Sequence, residues 1–369
     1  MNRENLWQRW MAIWNRLAHP VQVTLLAVMD VALIGIGLCI FALFHHVLPR
    51  SEESLGVVSS RDAMRPSTTE SVATAEPQSA ATPEPSSTGD ASAAVPQQVA
   101  SATVEPVATP DPVGYFGTKF ADKFTSGEIV DTVDANGNAV YQSGNLNITG
   151  TKYEQTNLVY YVIDIYVRDI VCLRTAFAND KFGRGQRDST ATIASDHSAI
   201  AAINGDYYGA RSEGTVIRNG ELYRDNDFGD ICVLYWDGTM ETYEDKDFDA
   251  QMAMANGAYQ AWNFGPMLLD ENGQTMTEFN SSVTSRNPRT VIGYYEPGHY
   301  CFVAVDGRSD ESKGLTMTQL SELMYSLGCK RAYNLDGGQT SEMVWKGKVI
   351  NDPYKGGREC SDIVLVAEP

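Results

Sequence analysis

Apolar and polar positions alternate very differently along four stretches of this chain. Val21 to Leu48 is one long apolar run, interrupted only by Asp30 among the acids and bases before His45 and His46. A bilayer-spanning helix needs about 20 such residues, so the run predicts a transmembrane helix over 21–48. Asp30 would then sit near the inner interface or face a partner helix. A secretory leader has an apolar region of only about 7–15 residues and a small-x-small cleavage site, whereas this run ends in Leu48-Pro49-Arg50. Arg3, Arg9 and Arg16 precede the run and Arg50 follows it. That asymmetry predicts a single-pass cell-membrane protein with residues 1–20 cytoplasmic and everything after the span extracellular. Residues 49–112 are Ser, Ala, Thr, Pro and Glu with hardly an aromatic. They cannot bury enough apolar surface to offset the entropy of ordering, and so predict a disordered stalk.

From Val113 the pattern becomes that of a folded domain. Leu158–Val167 (LVYYVIDIYV) is rich in β-branched and aromatic residues and predicts a strand. Hairpins are predicted for Thr215–Tyr223 around Asn219-Gly220, Cys232–Tyr243 around Asp237-Gly238, and Met343–Ile350 around Lys346-Gly347. Helical spacing is clearest over Leu315–Leu327, where Met317, Leu320, Leu323, Met324 and Leu327 share a face. Thr316 and Gln319 suit a capping box at its start, and Gly328 suits its stop. Ser189–His197 is a shorter candidate. The expectation is one α+β or mixed α/β domain over 113–369, with a mixed sheet, several hairpins and few helices.

Charge and cysteine content narrow the classes of function. A formal net charge of −19 excludes a nucleic-acid partner, which would need a basic face. Cys172, Cys232, Cys301, Cys329 and Cys360 lie beyond the apolar run with no Cys-x-x-Cys spacing, so a zinc ribbon or thioredoxin-like site is not expected. Buried thiols with at most one bridge are the favoured reading. Gly-x-Ser-x-Gly, Walker, dinucleotide-binding and His-Glu-x-x-His motifs are missing from the sequence. Only His197 and His299 fall in the domain, too few for a histidine-rich metal centre. Asp134–Asn138 reads as a hairpin turn rather than a calcium loop, and Asp245, Asp247 and Asp249 as a solvated helix start. No metal site and no required cofactor are expected, although a divalent cation is compatible with the carboxylates present.

Three apolar strand-like segments run into glycine-containing polar turns: Ala199–Ile203 into Asn204-Gly205-Asp206-Tyr207-Tyr208, Tyr300–Val305 into Asp306-Gly307-Arg308, and Ala332–Leu335 into Asp336-Gly337-Gly338. The second and third flank the Leu315–Leu327 helix. A strand–helix–strand unit with adjacent parallel strands would put Asp306 and Asp336 at the same carboxyl edge, where α/β sheets bind ligands. The competing reading is ordinary turn vocabulary. Arg289 and Arg308 could grip a phosphate bidentately; for Arg286 a surface ion pair is the favoured reading.

These motifs, with Gly265-Pro266 and Asn287-Pro288-Arg289-Thr290-Val291-Ile292-Gly293, follow the order seen in the phosphodiester glycosidase family, which the chain resembles over about Leu158–Val366. The departure is Gln339-Thr340-Ser341 after the double glycine, where the family usually has small residues and serines. The resemblance implies cleavage between a sugar's anomeric carbon and phosphate. It implies Asp336 first, with Asp306 and Asp206, as the catalytic carboxylates and Glu342 in reserve. Arg289, Arg308, Thr340 and the N–H groups of Gly337 and Gly338 would bind phosphate. Asn204 and Asn334 would orient sugar hydroxyls, and Tyr207 or Tyr208 would stack on a sugar face. A glycosyl phosphodiester in a wall or capsule polysaccharide is the expected substrate. A non-catalytic glycan-binding module and a metal-dependent phosphodiesterase are the alternatives.

Overall fold

A computed structural model describes residues 111–134, 138–226 and 228–369. The expected cytoplasmic segment, the anchor over 21–48 and nearly all of the stalk lie outside them. Among the described residues no helix is long and apolar enough to cross a membrane.

The chain first forms β1 (Val130–Val133), β2 (Ala139–Gln142), β3 (Leu146–Gln155), β4 (Leu158–Val167) and β5 (Leu173–Phe177). Helix α1 (Thr190–Asp196) leads to β6 (Ala201–Asn204), β7 (Val216–Arg218), β8 (Glu221–Arg224), β9 (Ile231–Tyr235) and β10 (Met240–Tyr243). Helix α2 (Ala250–Ala255) precedes β11 (Ala258–Trp262), β12 (Arg289–Glu296) and β13 (His299–Val305). Helix α3 (Met317–Ser326) is followed by β14 (Arg331–Asn334), β15 (Met343–Trp345), β16 (Lys348–Val349) and β17 (Asp362–Val366).

Three sheets result, in the orders β1-β2-β3-β4-β13-β12-β14, β10-β9-β11-β7-β8 and β16-β15-β6-β17-β5. Each buries one face in a shared core and covers the other with a short helix. In the first sheet Val303 pairs with Val162 and Phe302 with Ile163. Alternation then sends Ile163, Ile165 and Phe302 to the shared core. It sends Val162, Cys301 and Val303 to the opposite face, against Leu320 and Met324 of α3. In the β5–β17 sheet, Ile203 and Val364 face the shared core while Ile363 and Leu365 meet Ile193 of α1. In the remaining sheet, Leu234 and Trp262 point inward and Val233 and Ala261 pack on α2. Side chains of this size buried completely contribute about 1.5–3 kcal/mol each.

The three expected hairpins form: β7–β8, β9–β10 and β15–β16 pair antiparallel. Asn219 and Gly220 take positive φ (53° and 83°), as do Lys346 and Gly347 (48° and 73°), the geometry that matches strand twist in two-residue turns. α3 starts with the expected Thr316–Gln319 capping box, and Ser189 caps α1 through Thr192 N–H. The mixed sheet is corrected. All strand pairs among the described residues are antiparallel, because β12 lies between β13 and β14 and pairs antiparallel with both. β13 and β14 therefore run parallel to one another without touching. The inference that Asp306 and Asp336 share a sheet edge survives for a different reason, and the start of β12 places Arg289 between them.

Candidate active site

Two sheets meet where β6 and β14 end. Asn204 at the end of β6 donates Nδ2–H to the carbonyl of Asp336 at 2.7 Å, and Asp336 N–H donates to the carbonyl of Gly205 at 3.3 Å. Asn204 Oδ1 accepts from Thr290 Oγ1 (2.8 Å) and from Glu342 N–H (3.1 Å). The amide of Asn204, expected to orient a sugar, is thus engaged in joining strands. Gly205 allows the junction: its N–H donates to the Asp362 carbonyl at 2.8 Å, and any Cβ would strike the Asp362 carboxylate.

The junction opens into a small cleft lined by Asp206, Tyr207, Asp336, Arg358, Glu359 and Arg187. Asp336 is 7% exposed and its Oδ2 accepts from Arg358 Nη2 at 2.8 Å, while the same nitrogen reaches Thr340 Oγ1. Burial raises the Asp336 carboxyl above its ordinary pKa, against the opposing pull of Arg358, Thr340 and Gly337 N–H. Arg358 itself is partly exposed and lies 5.5 Å from the Tyr207 ring centre. Tyr207 is exposed.

Asp206 sits deeper. Its Oδ1 accepts Tyr208 N–H (2.8 Å), and its Oδ2 accepts Asn263 N–H (3.1 Å) and Arg218 Nη2–H (3.0 Å). Burial pushes its pKa upward, but Arg218, Arg211 and those N–H groups outweigh burial and hold the carboxyl below the usual range. Arg218 also donates Nε–H to Asp362 Oδ2 at 2.8 Å, so one buried guanidinium bridges two buried carboxylates. Asp362, with burial dominant and Asp206 nearby, is pushed up to about 7.

A second cradle lies along the same sheet edge, around Asp306 and Arg308. Asp306 accepts from Asn351 Nδ2 (2.9 Å) and Asp352 N–H (3.2 Å), and burial raises it to about 6 despite those donors. Arg308, at φ 61°, donates Nη2–H to Asn287 Oδ1 at 2.6 Å and lies 5.1 Å from the Tyr354 ring centre. Its guanidinium packs against Gly338, where a Cβ would come within 3.4 Å of Nη2.

Several sequence-based roles change here. Arg289 is 3% exposed and gives Nε–H to Leu315 O and Nη2–H to Val283 O and Ser285 O. Those bonds tie Arg289, expected to bind phosphate, into the 283–289 loop; burial, with Arg308 nearby, lowers its pKa to about 10. Gly338 N–H donates to Pro288 O at 3.0 Å and Gly337 N–H serves Asp336, so neither is left for a phosphate. Asn334 gives Nδ2–H to Gly265 O at 2.8 Å inside the sheet, beside the cis Gly265-Pro266 bond. Tyr208 is 1% exposed and stacks on Phe182 at 5.2 Å, which makes it core rather than platform. Glu342 is buried beneath the 351–361 loop, its pKa raised by burial. Arg358, Arg187, Arg218 and Asp362 were missed. An acid opening the apolar strand Asp362–Val366 and an arginine closing Val216–Arg218 were the available signals; Arg358, in a polar loop, offered none.

Among the described residues no group of three or more metal-ligating side chains converges. All five described cysteines are free and buried, with Cys301 and Cys329 Sγ 3.7 Å apart.

The fold and cleft thus define a β-rich domain with paired carboxylates and guanidinium groups at a sheet junction. Residues 197–367 match the family model described as phosphodiester glycosidase. The SPbeta prophage-derived uncharacterized protein YomE of Bacillus subtilis is 32% identical over 200 residues, covering 51% of this chain and 31% of that protein. The N-acetylglucosamine-1-phosphodiester alpha-N-acetylglucosaminidase of Bos taurus is 28% identical over 107 residues, covering 27% of this chain and 20% of that enzyme. The chain therefore spans about a third or less of the length of these relatives. The catalytic domain of the zebrafish enzyme, auto-inhibited by its pro-peptide, superposes with a TM-score of 0.50 at 18% identity, over 66% of this chain and 88% of that domain. At that identity the likeness concerns fold.

Proposed function

We propose that this domain hydrolyses the bond between the anomeric carbon of a sugar and the phosphate of a glycosyl phosphodiester, outside the cell. The observation that carries this reading is the cleft in which Asp206, held ionised by Arg218, and Asp336, biased toward its protonated form by burial, face the partly exposed Arg358. Two carboxyl groups driven toward different protonation states are what glycoside hydrolysis uses. Asp336 donates its proton to the bridging oxygen, and Asp206 stabilises the positive charge that builds on the sugar ring. Arg358, with Arg187 at the rim, neutralises the departing phosphate. Tyr207 stacks on the sugar. Water then adds at the anomeric carbon, and the proton it gives up restores Asp336, leaving a free sugar and a phosphate monoester.

The names of the mammalian relatives make N-acetylglucosamine the first sugar to test. Wall or capsule phosphodiesters are the proposed natural class, supported by the apolar run over 21–48 and the Ser/Ala/Thr/Pro-rich composition of 49–112. Hydrolysis of an α-N-acetylglucosamine-1-phosphodiester in heavy-oxygen water tests the bond cleaved. The label should enter the sugar; label in the phosphate would instead establish a phosphodiesterase.

A further inference from the structure

A groove of about 430 Å³ runs behind the Arg308 cradle, between the tip of the β3–β4 hairpin and the start of α3. Gln155, Asn157, Arg286, Lys313 and Gln319 supply its polar lining, and Leu315 contributes apolar surface. Among the described residues no carboxylate lines it, in a chain that has 47 acidic and 28 basic residues. A second groove of equal volume carries five carboxylates and a single arginine. Acidic groups crowd one groove and leave the other to two cations and a set of amides. Uncharged amides and cations together suit a sugar-containing anion, whose hydroxyls need partners as much as its charge does.

The groove is one residue removed from the cradle. Arg286 lines the groove, and its neighbour Asn287 accepts Arg308 Nη2–H at 2.6 Å on the other side. Asn287 and Leu315 exchange both backbone bonds at 3.2 Å, and a Cβ on Gly307 would lie 2.9 Å from Pro288 N and 3.0 Å from Gly314 Cα. The wall between them is thus one thin, closely packed ridge. Arg286 Nη1–H donates to Gly314 O at 3.0 Å, which anchors its guanidinium on that ridge while the residue stays exposed. Lys313 is positioned by its own N–H, which donates to Asn157 O at 2.9 Å; its ammonium reaches Ser309 O (2.8 Å) and the solvent-exposed Asp310 (3.0 Å) at the rim.

We propose that this groove is a subsite for the next anionic repeat of a polymeric substrate, so that the enzyme favours chains over isolated sugar phosphodiesters. The inference rests on the phosphodiester glycosidase reading and adds the substrate's form. With the scissile phosphate held at Arg358, a chain running past Arg308 and over the ridge would set a following phosphate over Arg286 and Lys313. A monomeric substrate would leave the groove vacant.

The test compares the full chain with its Arg286→Gln/Lys313→Gln variant on two substrates: a methyl phosphodiester of α-N-acetylglucosamine-1-phosphate and a sugar-1-phosphate-linked polysaccharide. The loss in kcat/KM on the polymer should exceed the loss on the small substrate by about tenfold, mostly through KM, and should shrink in high salt. Equal losses on both substrates, or no loss on either, would overturn the subsite. Equilibrium binding of the same polysaccharide, measured without turnover, reads the groove independently: affinity should fall about tenfold in the variant. If the native chain cleaves neither substrate but this binding difference holds, the glycosidase reading fails and the subsite stands. Unchanged polymer affinity sinks the subsite whatever the enzyme activity.

Discussion

Arg218 gives the most exacting test of the electrostatics. It is 1% exposed, donates to Asp362 at 2.8 Å and Asp206 at 3.0 Å, and gives Nη1–H to Ile217 O and Ala261 O. Arg218→Met keeps much of the stem and removes every donor. Two buried carboxylates and two carbonyls then lose their partner. Removing one member of a buried ion pair costs about 3–5 kcal/mol, a large part of the roughly 5–15 kcal/mol that holds a domain folded. The variant's midpoint of thermal unfolding should drop by about 6–20 °C. The loss should also acquire a pH dependence. Without Arg218 both carboxyls titrate in the folded state above their unfolded value of about 3.9, so the folded state binds the extra protons. Stability is then highest at low pH and declines as pH rises, by about 1.4 kcal/mol per unit for each carboxyl. Urea unfolding followed by circular dichroism at about pH 5 and about pH 8 should show the gap to the native chain widening by at least about 2 kcal/mol. A variant within about 1 kcal/mol of the native chain at the higher pH, or a loss independent of pH, would refute the reasoning.

The remaining expectations separate function from support. Asp306 sits at about 6 when folded, above its unfolded value, so its burial costs stability that grows as pH rises between the two. Asp306→Asn should therefore be more stable than the native chain by about 2–3 kcal/mol at about pH 8, with the gain fading in acid, as thermal scans across pH would show. Tyr207→Ala should raise KM about fivefold with little change in melting temperature, whereas Tyr208→Ala should cost about 3–5 kcal/mol of stability. Arg358→Gln should lower kcat/KM by about 10–100-fold in steady-state assays on sugar phosphodiesters while leaving the far-ultraviolet spectrum native.

Local signals carried much of this fold. Asn219-Gly220 and Lys346-Gly347 dictate their turns through backbone conformations that few other pairs adopt, and Thr316 with Gln319 writes the start of α3 into four residues. The insertion of β12 between β13 and β14 was not legible, since strand order is decided by long-range pairing rather than by local pattern. The site divides the same way. Asp206 and Asp336 stood out because each follows an apolar strand, and the structure brings both to one cleft. Asn204 and Arg289 stood out equally, yet their polar atoms are taken up by partners distant in sequence, such as Asp336 O and Leu315 O. A side chain that joins two strands and one that awaits a ligand look alike in sequence. Arg358 is the converse: an unremarkable loop residue that the fold returns to Asp336.

Sugar release from a phosphodiester by Asp336 and its cleft is open to direct measurement. Free reducing sugar should be measured after incubating the native chain and its Asp336→Asn variant with an α-N-acetylglucosamine-1-phosphodiester. Release by the native chain, reduced at least about 100-fold in the variant with its melting temperature preserved, is the predicted result. Equal release by both, or none by the native chain on this substrate and on sugar-1-phosphate-linked polysaccharide, would contradict the account.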